Sequence, residues 1–127
     1  MSPIVLDASA VLAVVLRERG HERVLALGKA GHMSTVNMSE ARARLWDLGY
    51  SAADIDLALE NVDATIMDFT ATHARQAGDL RPLTRKAGLS LGDRACLALA
   101  IALDGTALTA DRAWATLDLP VSVELIR

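Results

Sequence analysis

Four acidic residues carry the chemistry this sequence suggests. Asp7 directly follows an apolar run, Pro3 to Leu6, and Glu40 stands one helical turn past a second, His32 to Val36. Asp93 lies in the first turn of an apolar helical stretch, and Asp111 follows a further short run, Thr106 to Thr109. Carboxylates gathered in one place repel, and each resists ionisation of the others. A divalent cation reverses that cost, because Mg²⁺ and Mn²⁺ favour hard oxygen ligands and Mg²⁺ keeps several of its waters. Such a cation makes water acidic enough to act as a nucleophile near neutral pH and offsets charge building on a phosphoryl group. Helix N-termini beside the acids would favour the same phosphate.

Each acid also has a local explanation. Asp7 and Asp111 suit helix N-caps, and Asn37-Met38-Ser39-Glu40 and Ser90-Leu91-Gly92-Asp93 have capping-box spacing. Capping accounts for any one of them but gives no reason for four to converge. Supporting groups follow the same run ends. Ser9 stands two residues after Asp7, Thr109 two before Asp111, and Asn37 and Ser39 flank Glu40. Their hydroxyls and amide can orient carboxylates, or simply cap helices. Arg75, Arg81, Arg85, Lys86 and Arg94 cluster before and just after Asp93, while Arg112 follows Asp111. Arginine grips phosphate through paired bonds, so Arg85, Arg94 and Arg112 are candidate phosphate contacts; the alternative is a solvated basic surface. His21, His32 and His73 lack zinc-site spacing. Cys96 reads as a small buried hydrophobe, and Trp46 and Trp114 as packing anchors.

The elements that must position these groups alternate in kind. Short apolar runs at 3–6, 32–36, 64–69, 106–109 and 121–125 read as strands. Helical patterns fill 8–17, 21–30, 37–48, 52–60, 70–78 and 90–103, with a short turn at 112–117 and a break near Pro82. This alternation predicts an α/β fold of three layers, α/β/α, with a central parallel sheet of about five strands and helices on both faces. In such sheets functional groups gather beyond the carboxyl ends of the strands. The strands before Asp7, Glu40 and Asp111 end on that edge.

Composition narrows the setting. The 127 residues form one predicted domain, 1–127, with no repeat or linker to divide it. Hydrophobic residues make up 52% and aromatics only 3%, so the core must be aliphatic. A net charge of -3 excludes a polycationic nucleic-acid coat. A single cysteine excludes an internal disulfide. The first residues lack a basic signal-peptide start, and the longest apolar runs, Ala10 to Leu16 and Ala95 to Leu103, fall short of the roughly 18 residues of a membrane span. A cytoplasmic protein without a membrane segment is expected.

At these residues the chain resembles PIN-domain proteins, and among them the VapC toxins of bacterial toxin–antitoxin pairs. The resemblance rests on Ile4-Val5-Leu6-Asp7-Ala8-Ser9-Ala10, on Ser34-Thr35-Val36-Asn37-Met38-Ser39-Glu40, on Leu89 to Ala100 around Asp93, and on Leu108-Thr109-Ala110-Asp111-Arg112-Ala113-Trp114. These segments come in the family's order and span nearly the whole chain. The resemblance implies a PIN-like fold, endonucleolytic RNA cleavage dependent on Mg²⁺ or Mn²⁺, a homodimer, and a cognate antitoxin whose tail covers the active site. It places Asp7, Glu40 and Asp93 on the family's core acids, Asp111 on a fourth, more variable one, and Thr109 on a supporting hydroxyl. Asp7 and Asp93 would anchor the metal. Ala41 departs from the family's usual bulkier aliphatic residue.

Other functions lack their residues. A haloacid-dehalogenase-type phosphotransferase wants an aspartate where Ser9 stands. A receiver domain wants a lysine after the last strand, and 121–127 has none. A dinucleotide site wants glycines after the first strand. The alternative that survives is a non-catalytic α/β binding or signalling module whose acids only cap helices.

Overall fold

The computed structural model describes residues 2–127. Its strands are β1 (Ile4–Leu6), β2 (Gly31–Ser34), β3 (Thr65–Met67), β4 (Thr106–Thr109) and β5 (Ser122–Leu125). Its helices are α1 (Ala8–Val15), α2 (His21–Leu25), α3 (Thr35–Asp47), α4 (Ala52–Val62), α5 (Ala71–Asp79), α6 (Arg81–Thr84) and α7 (Leu91–Ala102). Short 3-10 turns occupy Gly28–Ala30 and Arg112–Thr116. The strands form one sheet, parallel throughout, in the order β3-β2-β1-β4-β5. This is the predicted three-layer α/β/α arrangement.

The two core clusters follow from strand geometry, since successive side chains point to opposite faces. Leu6, Met33 and Leu108 face one layer, where they meet Ala10, Val11, Ala13 and Val14 of α1 with Val24, Ala41 and Val62. Val5 and Ala107 face the other, where Cys96, Leu97, Leu99 and Ala100 of α7 join Leu80, Leu89 and Trp114. Alanine on α1 and α7 lets both helices lie close to the sheet. Among the described residues no helix is long and apolar enough to cross a membrane.

From β1 the chain moves outward to β2 and β3, then returns across the sheet to β4 and moves outward the other way to β5. The reversal lies between β1 and β4, which pair Leu6 with Leu108. A crevice forms at the carboxyl ends of strands flanking such a switch point. Asp7 and Thr109 stand there.

Two local expectations are corrected. The second strand stops at Ser34 rather than Val36, because the Ser34 hydroxyl accepts the Val36 amide at 3.2 Å and caps α3 there. Asn37 therefore sits inside α3, and the expected Asn37–Glu40 capping box does not form. Trp46, near the end of α3, is 53% exposed and anchors no packing, whereas Trp114 is fully buried.

The core analysis sets a stability contrast. Leu97→Ala removes a fully buried side chain and is expected to cost about 2–5 kcal/mol in urea denaturation. Leu57→Ala, at a 65% exposed position, is expected to stay within about 0.5 kcal/mol.

Candidate active site

Asp7 lies just past the central strand, where its backbone amide donates to the Leu108 carbonyl of β4 at 3.3 Å. Its side chain is only 4% exposed. Oδ1 accepts the Ala10 amide at 2.8 Å, which caps α1, and the Ser9 hydroxyl at 2.6 Å. Oδ2 accepts the Thr109 hydroxyl at 2.5 Å. Each hydroxyl has one proton, and both protons go to Asp7. The hydroxyl oxygens then serve as acceptors: Ser9 for the Ala110 amide at 2.9 Å, Thr109 for the Asp111 amide at 3.0 Å. The ends of β1 and β4 are thus tied together through one carboxylate.

Glu40 and Asp93 come from the helices that follow β2 and precede β4. Asp93 forms the predicted capping box with Ser90: its Oδ2 accepts the Ser90 amide at 2.9 Å, and its own amide donates to the Ser90 hydroxyl at 3.2 Å. Glu40 sits on an exposed part of α3 and reaches over the head of α7. A β-carbon built at Gly92 would collide with the Glu40 carboxylate, so only glycine leaves room for it in this position. Asn37 donates to Glu40 Oε1 at 3.2 Å and to the Gly92 carbonyl at 3.0 Å. The sequence reading did not single out Gly92. A glycine within the first turn of an otherwise aliphatic helix was the available signal.

Asp7 and Glu40 both sense the charge of Asp93. Loss of hydration raises the pKa of Asp7 from the ordinary aspartate value; hydrogen bonds from Ser9, Thr109 and Ala10 pull it back, and the charge of Asp93 adds to the rise. Glu40 is raised by lost hydration, then by the charge of Asp93 and, to a smaller extent, Asp7, with the Asn37 bond opposing. Burial raises the Cys96 thiol well above its ordinary value, and the charges of Asp7, Asp93 and Glu40 raise it further. Geometry joins two of the acids directly, since the Glu40 carboxylate lies against Gly92, the residue before Asp93. Asp111 is not among the charges acting there. It is exposed at the neighbouring strand end, where Oδ1 accepts the Ala113 amide at 2.9 Å and caps the 3-10 turn.

The arginines separate. Arg85 and Arg112 are exposed and form no ion pair among the described residues. Arg94 is committed elsewhere, since its Nη1 donates to the Ala77 carbonyl at 2.9 Å and ties α7 to α5. As placed, no group of three or more His, Cys, Asp or Glu side chains among the described residues closes into one metal sphere. The donor chemistry nonetheless fits a hard cation held by one or two carboxylates and its own waters. Glu40 Oε2 and Asp93 Oδ1 have no hydrogen-bond partner among the described residues, and Asp7 Oδ2, with the Thr109 hydroxyl alone on it, retains acceptor capacity.

The Asp7 shift sets a stability expectation. A carboxyl whose folded pKa is raised contributes stability below its unfolded pKa and loses it as pH rises through the folded pKa. Ionised Asp7 therefore destabilises the cation-free fold near neutral pH. In chelator near pH 7, Asp7→Asn is expected to melt a few degrees above wild type, with the gain vanishing as pH falls toward about 3.9, the unperturbed aspartate value. Thermal melts across this range check it, and a destabilised Asp7→Asn protein at neutral pH would contradict it.

Comparison with known proteins bears on the family and the fold. Residues 4–119 match the family model of the PIN domain. No curated protein sequence is significantly similar to the chain. Among solved structures it is similar to DNA-bound VapBC from Salmonella typhimurium, with a TM-score of 0.75, 15% identity, and 100% of each chain covered. It is similar to the Mycobacterium tuberculosis toxin VapC20, which cleaves the sarcin–ricin loop (TM-score 0.73, 18% identity, 90% of this chain and 95% of that one). VapBC-5 from Mycobacterium tuberculosis is 25% identical at a TM-score of 0.64, over 100% of this chain and 99% of its own. The family match covers nearly the whole fold and contains every acid described above, and on that match the chain is a member of the PIN domain family.

Proposed function

We propose that the protein is an endoribonuclease dependent on Mg²⁺, with Mn²⁺ as a substitute, and that it acts as the toxin of a toxin–antitoxin pair in the cytoplasm. The observation that carries this reading is the buried Asp7 carboxylate at the β1/β4 switch point, coupled to Glu40 and Asp93. The charge of Asp93 raises the pKa of both Asp7 and Glu40, and a bound cation would relieve that repulsion. The likeness to VapBC complexes and to VapC20 supports a nuclease toxin with an antitoxin partner.

The roles follow from position. Asp7 and Asp93 are the residues that would hold the cation. Ser9 and Thr109 fix the orientation of the Asp7 carboxylate through one bond to each oxygen. Glu40, exposed at the rim, and Asp111, at the neighbouring strand end, would hold further waters of the cation, and Glu40 would take the proton of the attacking water. The cation would supply positive charge at the scissile phosphate and make water a stronger acid. Arg85 and Arg112 are free to meet the RNA backbone. Single-stranded RNA is the expected substrate, because a splayed loop presents its phosphate more openly than an A-form stem. Exposed apolar side chains at Leu16, Trp46, Leu48 and Leu57 suit burial against an antitoxin or a second copy in a homodimer.

One observation favours the rival reading: Asp7, Asp93 and Asp111 all do cap helical segments. Capping leaves Glu40 unexplained, and a cation titration separates the two. Under the nuclease reading, Mn²⁺ at about a hundred times its dissociation constant adds about 2.7 kcal/mol of stability to wild type, and much less to Asp7→Asn. A capping-only protein shows no such gain. Purified protein is expected to cut RNA in Mg²⁺ and stop in chelator. Glu40→Gln is expected to slow cleavage roughly 10²–10⁴-fold. Cleavage by Asp7→Asn at the wild-type rate would defeat the assignment. Gly92→Ala is expected to slow cleavage by displacing the Glu40 carboxylate without lowering the melting temperature, since alanine is the better helix former by about 1 kcal/mol.

A further inference from the structure

Asn37 is an unexpected residue for its place. It lies inside α3, is 1% exposed, and has no part in the cap, which Ser34 supplies. Asparagine is a poor interior helix residue, and an apolar side chain of similar size would fill this space without a buried amide. Both amide protons are used, one on Glu40 Oε1 and one on the Gly92 carbonyl. The amide oxygen is buried with no partner among the described residues. Turning the amide over would set its oxygen against a carbonyl and a carboxylate, so only the nitrogen can face both acceptors. The orphaned oxygen is the cost of keeping the two donor bonds.

Those two bonds join what the proposed chemistry needs joined. Asn37 is the only side chain among the described residues that bonds to Glu40. Its other bond lands on the residue directly before Asp93. A glutamate on an exposed helix position otherwise samples many rotamers. We propose that Asn37 is a positioning residue that holds the Glu40 carboxylate over Gly92 and sets its spacing from Asp93 by locking α3 to the head of α7. This rests on the nuclease reading of the same site and adds a requirement to it. Packing alone asks only that the volume be filled.

Asn37→Leu tests it, because leucine fills the space, removes the orphaned oxygen and deletes both donors. The full-length protein is compared as wild type, Asn37→Leu, Glu40→Gln and the double variant, by Mn²⁺ calorimetry and by RNA cleavage under single-turnover conditions. Asn37→Leu is expected to melt no lower than wild type, yet to bind Mn²⁺ and cleave roughly 10–100-fold less well. In the Glu40→Gln background the same substitution is expected to change Mn²⁺ affinity by less than about twofold, since two residues acting as a unit do not add. Wild-type Mn²⁺ affinity and cleavage in Asn37→Leu would overturn the proposal, and so would penalties that multiply with those of Glu40→Gln. If leucine prevents folding, Asn37→Ala gives the same comparison under the same criteria. A wild type that binds Mn²⁺ with this pattern but leaves RNA intact would refute the nuclease reading and keep the positioning role.

Discussion

The structure is organised around one costly burial, an aspartate carboxylate at the end of the central strand. Asp7 has almost no contact with solvent, and lost hydration is the largest influence on its ionisation. Backbone and hydroxyl donors offset only part of that cost. Much nearby structure is arranged to supply them. Pairing of β1 with β4 brings Thr109 alongside, the first turn of α1 brings the Ala10 amide, and Ser9 completes the set. Both hydroxyl protons are directed at Asp7, so the local network leaves the carboxylate with acceptor capacity and no competing donor role.

Around this fixed point the other acids are mounted differently. Asp7 and its hydroxyl partners sit on strand ends, where sheet pairing holds them. Glu40 and Asp93 sit on two helices that pack on each other, and their separation depends on how α3 packs on α7. A glycine at 92 allows that approach, and Asn37 spans it. Capping and cation chemistry are not exclusive here. Asp93 gives one oxygen to its cap and leaves the other unpaired, so the bonds that start α7 also aim the group.

The strand-end acids were legible in the sequence because a parallel sheet places every strand's carboxyl end on one edge. Short apolar runs ending in Asp7 or in Thr109 with Asp111 are readable signs of that edge. The Ser90–Asp93 capping box was readable for the same local reason. What escaped depended on tertiary packing. Asn37 has capping-box spacing to Glu40, yet Ser34 captures the helix start and Asn37 turns inward. Arg94 is adjacent to Asp93 in sequence, but successive helical residues point about 100° apart, and its guanidinium went to α5. Asp111 reached the right edge, but its side chain turned to its own 3-10 turn and lies outside the coupled set. Trp46 is a large aromatic side chain on a helix and still faces solvent, since nothing in the sequence says how far a layer extends.

The proposed function requires Asp7, Glu40 and Asp93 to bind a divalent cation together. The most direct test is an anomalous difference map from crystals soaked in Mn²⁺. A peak is expected at the ends of β1 and β4, within coordination distance of Asp7 or one water from it, with Glu40 or Asp93 completing its surroundings. Saturating Mn²⁺ that leaves the crevice empty, while surface carboxylates alone are occupied, would contradict it.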